Sequence, residues 1–419
     1  MSVARQPAPR LASWSLFAAL IATAGLPIYI HAPKFYLDTY GTSLAALGTV
    51  LAALRLIDLV QDPLLGWLAE ATRPARRTMV AVATALMAAS LWGLFAMAPP
   101  IAPLAWFAIT LTGLFSGFSF LTICFYADGV AKASTLGPQG HIRLAGWREA
   151  GSLLGICLAA VAPVALAALT DAPFTAFAAL FCGLAVVATL AMHREWATTS
   201  TPSRNPAALF RPALADPLAR RLLLIALLNA APVAVTSSTF LFFVESRLLA
   251  PGLEGPLLLL FFLSAAASTP LWTRAAARHG AKPVLMAGMA LSIAAFLWAV
   301  TLGSGDTLAF AVICAASGAA LGADLTLLPA IFAARLVRMG SDTEGAAFSL
   351  WNFVSKLSLA LAAATLLPAL QAAGFRPGPD NPPQALLALS LIYAALPCVL
   401  KLIAIALLWR TPIGKDALP

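Results

Sequence analysis

The chain has 419 residues, 61% of them hydrophobic and only 10% charged, with a formal net charge of +9. Its mean hydropathy is +0.89. Soluble domains carry about 25% charged residues, so this composition argues against one and for an all-α polytopic membrane protein. Lipid offers no hydrogen bonds, and a helix satisfies its own backbone. The alternating strands of about ten residues that mark an outer-membrane barrel are missing from the sequence. The basic excess falls in short loops, which marks topology and no nucleic-acid partner.

Twelve spans follow in chain order: 12–39, 43–69, 77–98, 102–132, 143–168, 173–193, 219–247, 255–279, 282–303, 307–336, 343–373 and 384–410. Arg5 and Arg10 precede the first, which reads as a retained anchor because its apolar run is long. Several spans exceed 25 residues and are expected to tilt or kink. Basic residues gather after the even-numbered spans: Arg73, Arg76 and Arg77, Lys132 and Arg143, Arg194 to Arg221, Arg274 to Lys282, Arg335 and Arg338, Arg410 and Lys415. The opposite loops hold only Lys34, Arg247 and Arg376. Both termini are therefore expected on the cytoplasmic side of the inner membrane. Cys124, Cys157, Cys182, Cys314 and Cys398 lie in apolar spans at no metal-binding spacing and read as small core residues.

Polar residues 194–218 divide the spans six and six, predicting an N-terminal bundle at 1–193, a central cytoplasmic loop at 194–218 and a C-terminal bundle at 219–419. A faint internal echo supports the division. Pro63 and Trp67 precede one basic turn, and Pro270 and Trp272 precede its counterpart. Two pseudo-symmetric six-helix halves around a midplane site are one of the recurring transporter plans.

Span 2 carries an expensive feature. Arg55, Asp58 and Asp62 are spaced i, i+3, i+7 and share one helix face. Each such charge costs roughly 2.5 to 3.5 kcal/mol to insert. They persist where they pair or bind an ion. Two acids one turn apart in a dry site cannot both ionise freely, which favours sharing Na⁺ or H⁺. The alternative is a static charge cluster. Lys356, in the apolar run from Phe353, needs a carboxylate partner, with Asp58 or Asp62 the first choice. Asp128 could contact substrate or answer Arg148. Asp324 could line the cavity, cap a span or partner Arg335. Tyr126 and Trp351 could stack on a substrate face. Asn352, Asn229 and Thr236 could donate neutral hydrogen bonds or pack helices.

Taken together, Phe35-Tyr-Leu-Asp38, the ladder from Arg55 to Gly66-Trp67, Arg143-Leu-Ala-Gly-Trp147-Arg148-Glu149, Gly322-Ala-Asp324 with Pro329, and Trp351-Asn352-Phe353 with Lys356 resemble one family. It is the melibiose-carrier-like glycoside–pentoside–hexuronide:cation symporters of the major facilitator superfamily. The resemblance spans nearly the whole chain. It implies a monomeric carrier with no bound cofactor and no enzymatic activity, moving a sugar or similar small polar solute with Na⁺ or H⁺. It places the coupling site at Asp58, Asp62 and Lys356, and gating contacts at Arg55. Glu70 and Arg73 resemble a superfamily gate between spans 2 and 3, with a topogenic charge cluster as the alternative, while Arg148 matches a cavity position and Glu149 reads as a gate or interface charge. Two family positions depart: acids that bind galactosides in spans 1 and 4 align with Ala22 and Ile123. Cargo therefore stays open between a polar solute and a lysolipid or amphipathic drug, and a non-transporting receptor or scaffold is the rival from another class. Symport or antiport is open too.

Overall fold

A computed structural model of the chain describes residues 10–137, 139–196, 206–339, 344–376, 378 and 380–413. Among these residues there is no strand. Among the described residues nine helices are long and apolar enough to cross a membrane, and Leu11–Thr23 and Ala346–Ala362 are shorter apolar helices. In chain order the helices are α1 (Leu11–Thr23), α2 (Leu26–Tyr40), α3 (Leu44–Ala71), α4 (Arg76–Phe95), α5 (Pro103–Ser134), α6 (Gly140–Ala167), α7 (Pro173–Met192), α8 (Pro206–Ala215), α9 (Pro217–Phe242), α10 (Glu254–His279), α11 (Ala281–Ala299), α12 (Thr307–Met339), α13 (Glu344–Ala372), α14 (Pro383–Ser390) and α15 (Leu396–Trp409).

Three predicted spans, 1, 7 and 12, are not single α-helices. Span 1 is expected to be continuous over 12–39, but it breaks between Thr23 and Leu26. Gly25 caps the second piece and Pro27 sits in its first turn, where a missing N–H costs nothing. Span 12 runs as α14, a π-helical turn at Leu391–Ala395, and α15. A matching π-turn at Phe243–Arg247 extends α9, and the two turns touch through Phe243 stacked on Tyr393 at 4.2 Å.

The packing repeats itself with a shift of six spans. α1 lies on α6 as α9 lies on α13; α3 on α5 as α10 on α12; α4 on α7 as α11 on α15. The two sets meet where α6 packs on α10 and α3 on α13. Within the first set the α1–α6 approach is close because Gly151 and Gly155 face the backbone oxygens of Ser15 and Ala19, which a Cβ would strike. Trp14, Phe17, Phe125 and Trp196 fill the space between α1, α5 and the end of α7.

One end of the bundle gathers the start of α1, the end of α7, α8 and the end of α15. There Lys282 Nζ donates to the carbonyls of Trp409 and Thr411, and Arg335 Nε donates to Asp216 at 3.0 Å. Asp216 also caps α9 by accepting from the Ala219 N–H at 2.7 Å. The Arg335 hydrogen bond holds the Asp216 carboxyl below its ordinary value of 3.8. A depressed folded-state value means that the stabilisation is fully present above about pH 4 and is lost as pH falls through the folded value. The stability difference between the protein and Asp216→Asn, from denaturant unfolding, is therefore expected to be flat above about pH 4 and to shrink on further acidification.

Candidate functional site

The polar centre is assembled from three helices. Lys356, on α13, donates from Nζ to Asp62 Oδ1 at 2.9 Å and to Ser119 Oγ at 2.8 Å, and lies 3.8 Å from Asp58 Oδ2. Asp58 and Asp62 are on the inward face of α3 and both are buried. Asp58 Oδ1 accepts from Gln61 Nε2 at 3.2 Å, and Gln61 Oε1 accepts from Ser116 Oγ at 3.2 Å. Among the described side chains, two carboxylates thus face one ammonium. Asp62 Oδ2 is buried and takes no hydrogen bond among the described residues. The arrangement can therefore accept one further positive charge, a proton or a small cation, at an oxygen that nothing else satisfies. The side chain of Arg55 lies outside the described residues. Ser116 and Ser119, on α5, escape the sequence reading; their signal is a pair of hydroxyls three apart in a largely apolar span.

A second group of charges sits nearer the end that carries the termini. Arg73 lies 3.5 Å from Glu70. Arg76, fully buried, brings Nε within 3.3 Å of Asp128 Oδ1 and donates from Nη1 to the Ala69 carbonyl at 2.8 Å and to Cys124 Sγ at 2.9 Å. The expected pairing of Asp128 with Arg148 is thus corrected: Asp128 belongs to the α4–α5 contact. Arg148 instead donates to Glu149 Oε1 at 2.9 Å and lies over the Tyr126 ring at 3.6 Å. Tyr126 donates its hydroxyl to the same Glu149 oxygen at 2.8 Å and packs against Phe348 of the other half. A cation over one face and a neighbouring aromatic leave the Tyr126 ring no room to stack on a substrate here.

These contacts close this end of the bundle. Gly66 on α3 meets Ser349 on α13, and Gly146 on α6 meets Thr273 on α10, each so near that an added Cβ would clash. Gly146→Leu is therefore expected to hold this end open. Ala330, now 2% exposed in a crevice between α5, α6 and α12, reports it: a cysteine placed there should gain reactivity toward a polar maleimide at least about tenfold, about 1.4 kcal/mol. Unchanged labelling would contradict the tight approach.

In the second half, Asp324 of α12 pairs with Lys401 of α15, which also donates to Asn229 Oδ1 of α9 at 2.5 Å. The alternative partner proposed for Asp324, Arg335, is corrected, since Arg335 is held by Asp216. Lys401 is missed by sequence reading although its signal is clear: a lone Lys within the apolar run from Leu396 to Trp409. Trp351 packs on Phe332 at 5.1 Å, and Asn352 beside it is half-buried. Thr236 spends its hydroxyl on the carbonyl of Pro232. Ala22 and Ile123 are buried apolar residues, so those two positions offer a ligand no polar group.

A profile of the MFS/sugar transport protein family matches residues 13–415. No curated protein matches the chain. Among solved structures the chain is similar in fold to a bacterial homologue of the iron transporter ferroportin in its outward-facing state, at 16% identity and a TM-score of 0.68, with 94% of this chain and 99% of that one covered. The same homologue with soaked iron gives 0.65 at 16% identity over the same shares. The fucose:proton symporter FucP of E. coli gives 0.60 at 14% identity, with 94% and 97% covered. At these identities the likeness speaks for the fold, whereas the profile covers nearly the whole sequence. The chain is thus an integral multi-pass membrane transporter, not an enzyme, and belongs to the MFS/sugar transport protein family.

Proposed function

We propose that this carrier is a monomeric cation-coupled symporter of the melibiose-carrier type. It moves a sugar or similar small polar solute inward by alternating access between halves at 1–193 and 219–419. The carrying observation is the bridge from Lys356 on one half to Asp62 and Asp58 on the other. A buried carboxylate whose Oδ2 takes no hydrogen bond among the described residues attracts one H⁺ or Na⁺. Its arrival weakens the hold of Asp62 on Lys356, and that is a differential interaction between states, as coupling requires. Both termini and the 194–218 loop lie on the cytoplasmic side of the inner membrane. The closed end, with Glu70, Arg73, Arg148 and Glu149, is then the cytoplasmic gate, and Arg55 works at the external side of the site. Trp351, Asn352, Tyr126, Asp128 and Asp324 are the substrate candidates; of these, Trp351 and Asn352 are the half-buried pair nearest Lys356 in sequence. Tyr126 and Asp128 become available only if the gate rearranges.

A second reading, amphipathic cargo such as a lysolipid, is favoured by the apolar burial at Ala22 and Ile123. One experiment separates these. Purified protein in proteoliposomes is given Na⁺ or H⁺ gradients separately, with labelled glycosides and lysolipids as cargo. The symporter reading expects gradient-driven accumulation of one glycoside class. Accumulation of lysolipid alone would transfer the proposal to the second reading. Flux of neither, under either gradient, would overturn both in favour of a receptor or scaffold.

A further inference from the structure

The second half holds a buried ion pair that the coupling scheme above does not use. Lys401 is 2% exposed and Asp324 is 6% exposed. One ammonium ties three helices, donating to Asn229 Oδ1 on α9 and to Asp324 Oδ2 on α12 from its seat on α15. Asp324 Oδ1, by contrast, is buried and has no hydrogen-bond partner among the described residues. A pair kept only to fasten helices would be expected to satisfy both carboxylate oxygens. A buried pair also rarely stabilises more than apolar residues of the same size. The pair therefore carries a cost that structure alone does not explain.

On the packed helices, Lys356 of α13 is mid-helix and paired with Asp62 and Asp58, Asp128 of α5 is paired with Arg76, and the other charged groups stand near helix ends. On α9 and its π-turn these are Arg220, Arg221, Glu245 and Arg247; on α10, Glu254, Arg274, Arg278 and His279. Lys282 opens α11, Arg335 and Arg338 close α12, and Arg143, Arg148 and Glu149 stand in the first turns of α6. Among the described residues Asp324 is ion-paired with Lys401. No group of three or more metal-ligating side chains occurs among the described residues, and a carboxylate already matched by an ammonium has little attraction for a metal ion. A proton needs only one lone pair, and Oδ1 offers one.

We propose that Asp324 is a second proton-binding carboxyl, located in the C-terminal half and separate from the Asp58–Asp62 site. Asp324 Oδ1 takes H⁺ from water as the half rearranges. The carboxylate becomes a carboxylic acid, Lys401 keeps its three protons, and the cluster passes from charge 0 to +1. Lys401 then holds Asn229 more than Asp324, which loosens α12 from α15. This step goes beyond the symport reading and needs neither its cargo nor its coupling ion.

The test reads the carboxyl directly. Infrared difference spectra of the reconstituted protein between neutral and acidic pH report the C=O stretch of each acid that gains a proton. One band is expected to be present in the native protein and in Asp62→Asn, to move in Asp324→Glu, and to vanish in the double variant Asp324→Asn with Lys401→Met. That double variant removes both charges together, so no lone charge is left buried. Asp324→Glu keeps the pair and serves if the double variant fails to fold. Identical bands in the native protein and Asp324→Glu would overturn the proposal. Because the spectrum requires no flux, its outcome stands apart from the uptake experiment.

Discussion

Asp62→Asn is expected to abolish gradient-driven accumulation while leaving the protein inserted and able to exchange substrate across the membrane. The substitution removes the carboxylate whose Oδ2 takes no hydrogen bond among the described residues, and with it the charge that draws in a cation. It keeps a carbonyl-type oxygen that can still accept from Lys356 Nζ, now 2.9 Å from Asp62 Oδ1. The helix contact survives and the cation dependence does not. Coupling energies between linked sites are about 1 to 3 kcal/mol, so stimulation by the gradient should drop by up to about 100-fold. Asp58→Asn should behave less severely, because Asp58 is 3.8 Å from Lys356 and is also held by Gln61. Parallel assays of uphill uptake and of equilibrium exchange in proteoliposomes separate coupling from binding. Native-level uphill uptake in Asp62→Asn would end the coupling-site assignment, whatever the cargo.

The span pattern was legible because about 20 apolar residues are needed to cross a bilayer and few other segments need them. The ladder was legible for the converse reason: charges in such a segment stand out. What the one-dimensional text withholds is rotation between helices. Asp128 and Arg148 lie on neighbouring spans, yet α5 turns Asp128 toward Arg76. Asp324 and Arg335 are both in span 10, but eleven residues of helix separate them by about 16 Å. Lys401 meets Asp324 from two spans away, a contact that no spacing rule expresses. The break in span 1 was written in Gly25 and Pro27, but such residues are often tolerated within a membrane helix, so the text alone does not choose. The Gly151-to-Gly155 spacing on α6 is a close-packing signal of the small-residue kind, and it marks the face that meets α1.

The second large effect concerns the closed end. Arg76 is fully buried and Asp128 is 1% exposed, so Arg76→Leu takes an ion-pair partner away from a buried carboxylate. Breaking a buried pair from one side costs about 3 to 5 kcal/mol, whereas replacing both partners is often close to neutral. Arg76→Leu should therefore lower the unfolding midpoint sharply, and adding Asp128→Asn should restore much of the loss. The recovery is incomplete, because Arg76 also donates to the Ala69 carbonyl and Cys124 Sγ, and those acceptors lose their donor in either variant. The pair also fixes the start of α4 against α5, and Arg76 holds the end of α3 through the Ala69 carbonyl, beside the Gly66–Ser349 approach that joins the halves. A gating role adds a demand that simple stability does not make: the double variant should stay more reactive at a cysteine replacing Ala330 even where its unfolding midpoint has recovered. A double-mutant cycle with an interaction energy near zero would remove the pair from both roles. Recovered stability with native labelling would leave Arg76 and Asp128 as packing groups and move the gate to Tyr126, Arg148 and Glu149.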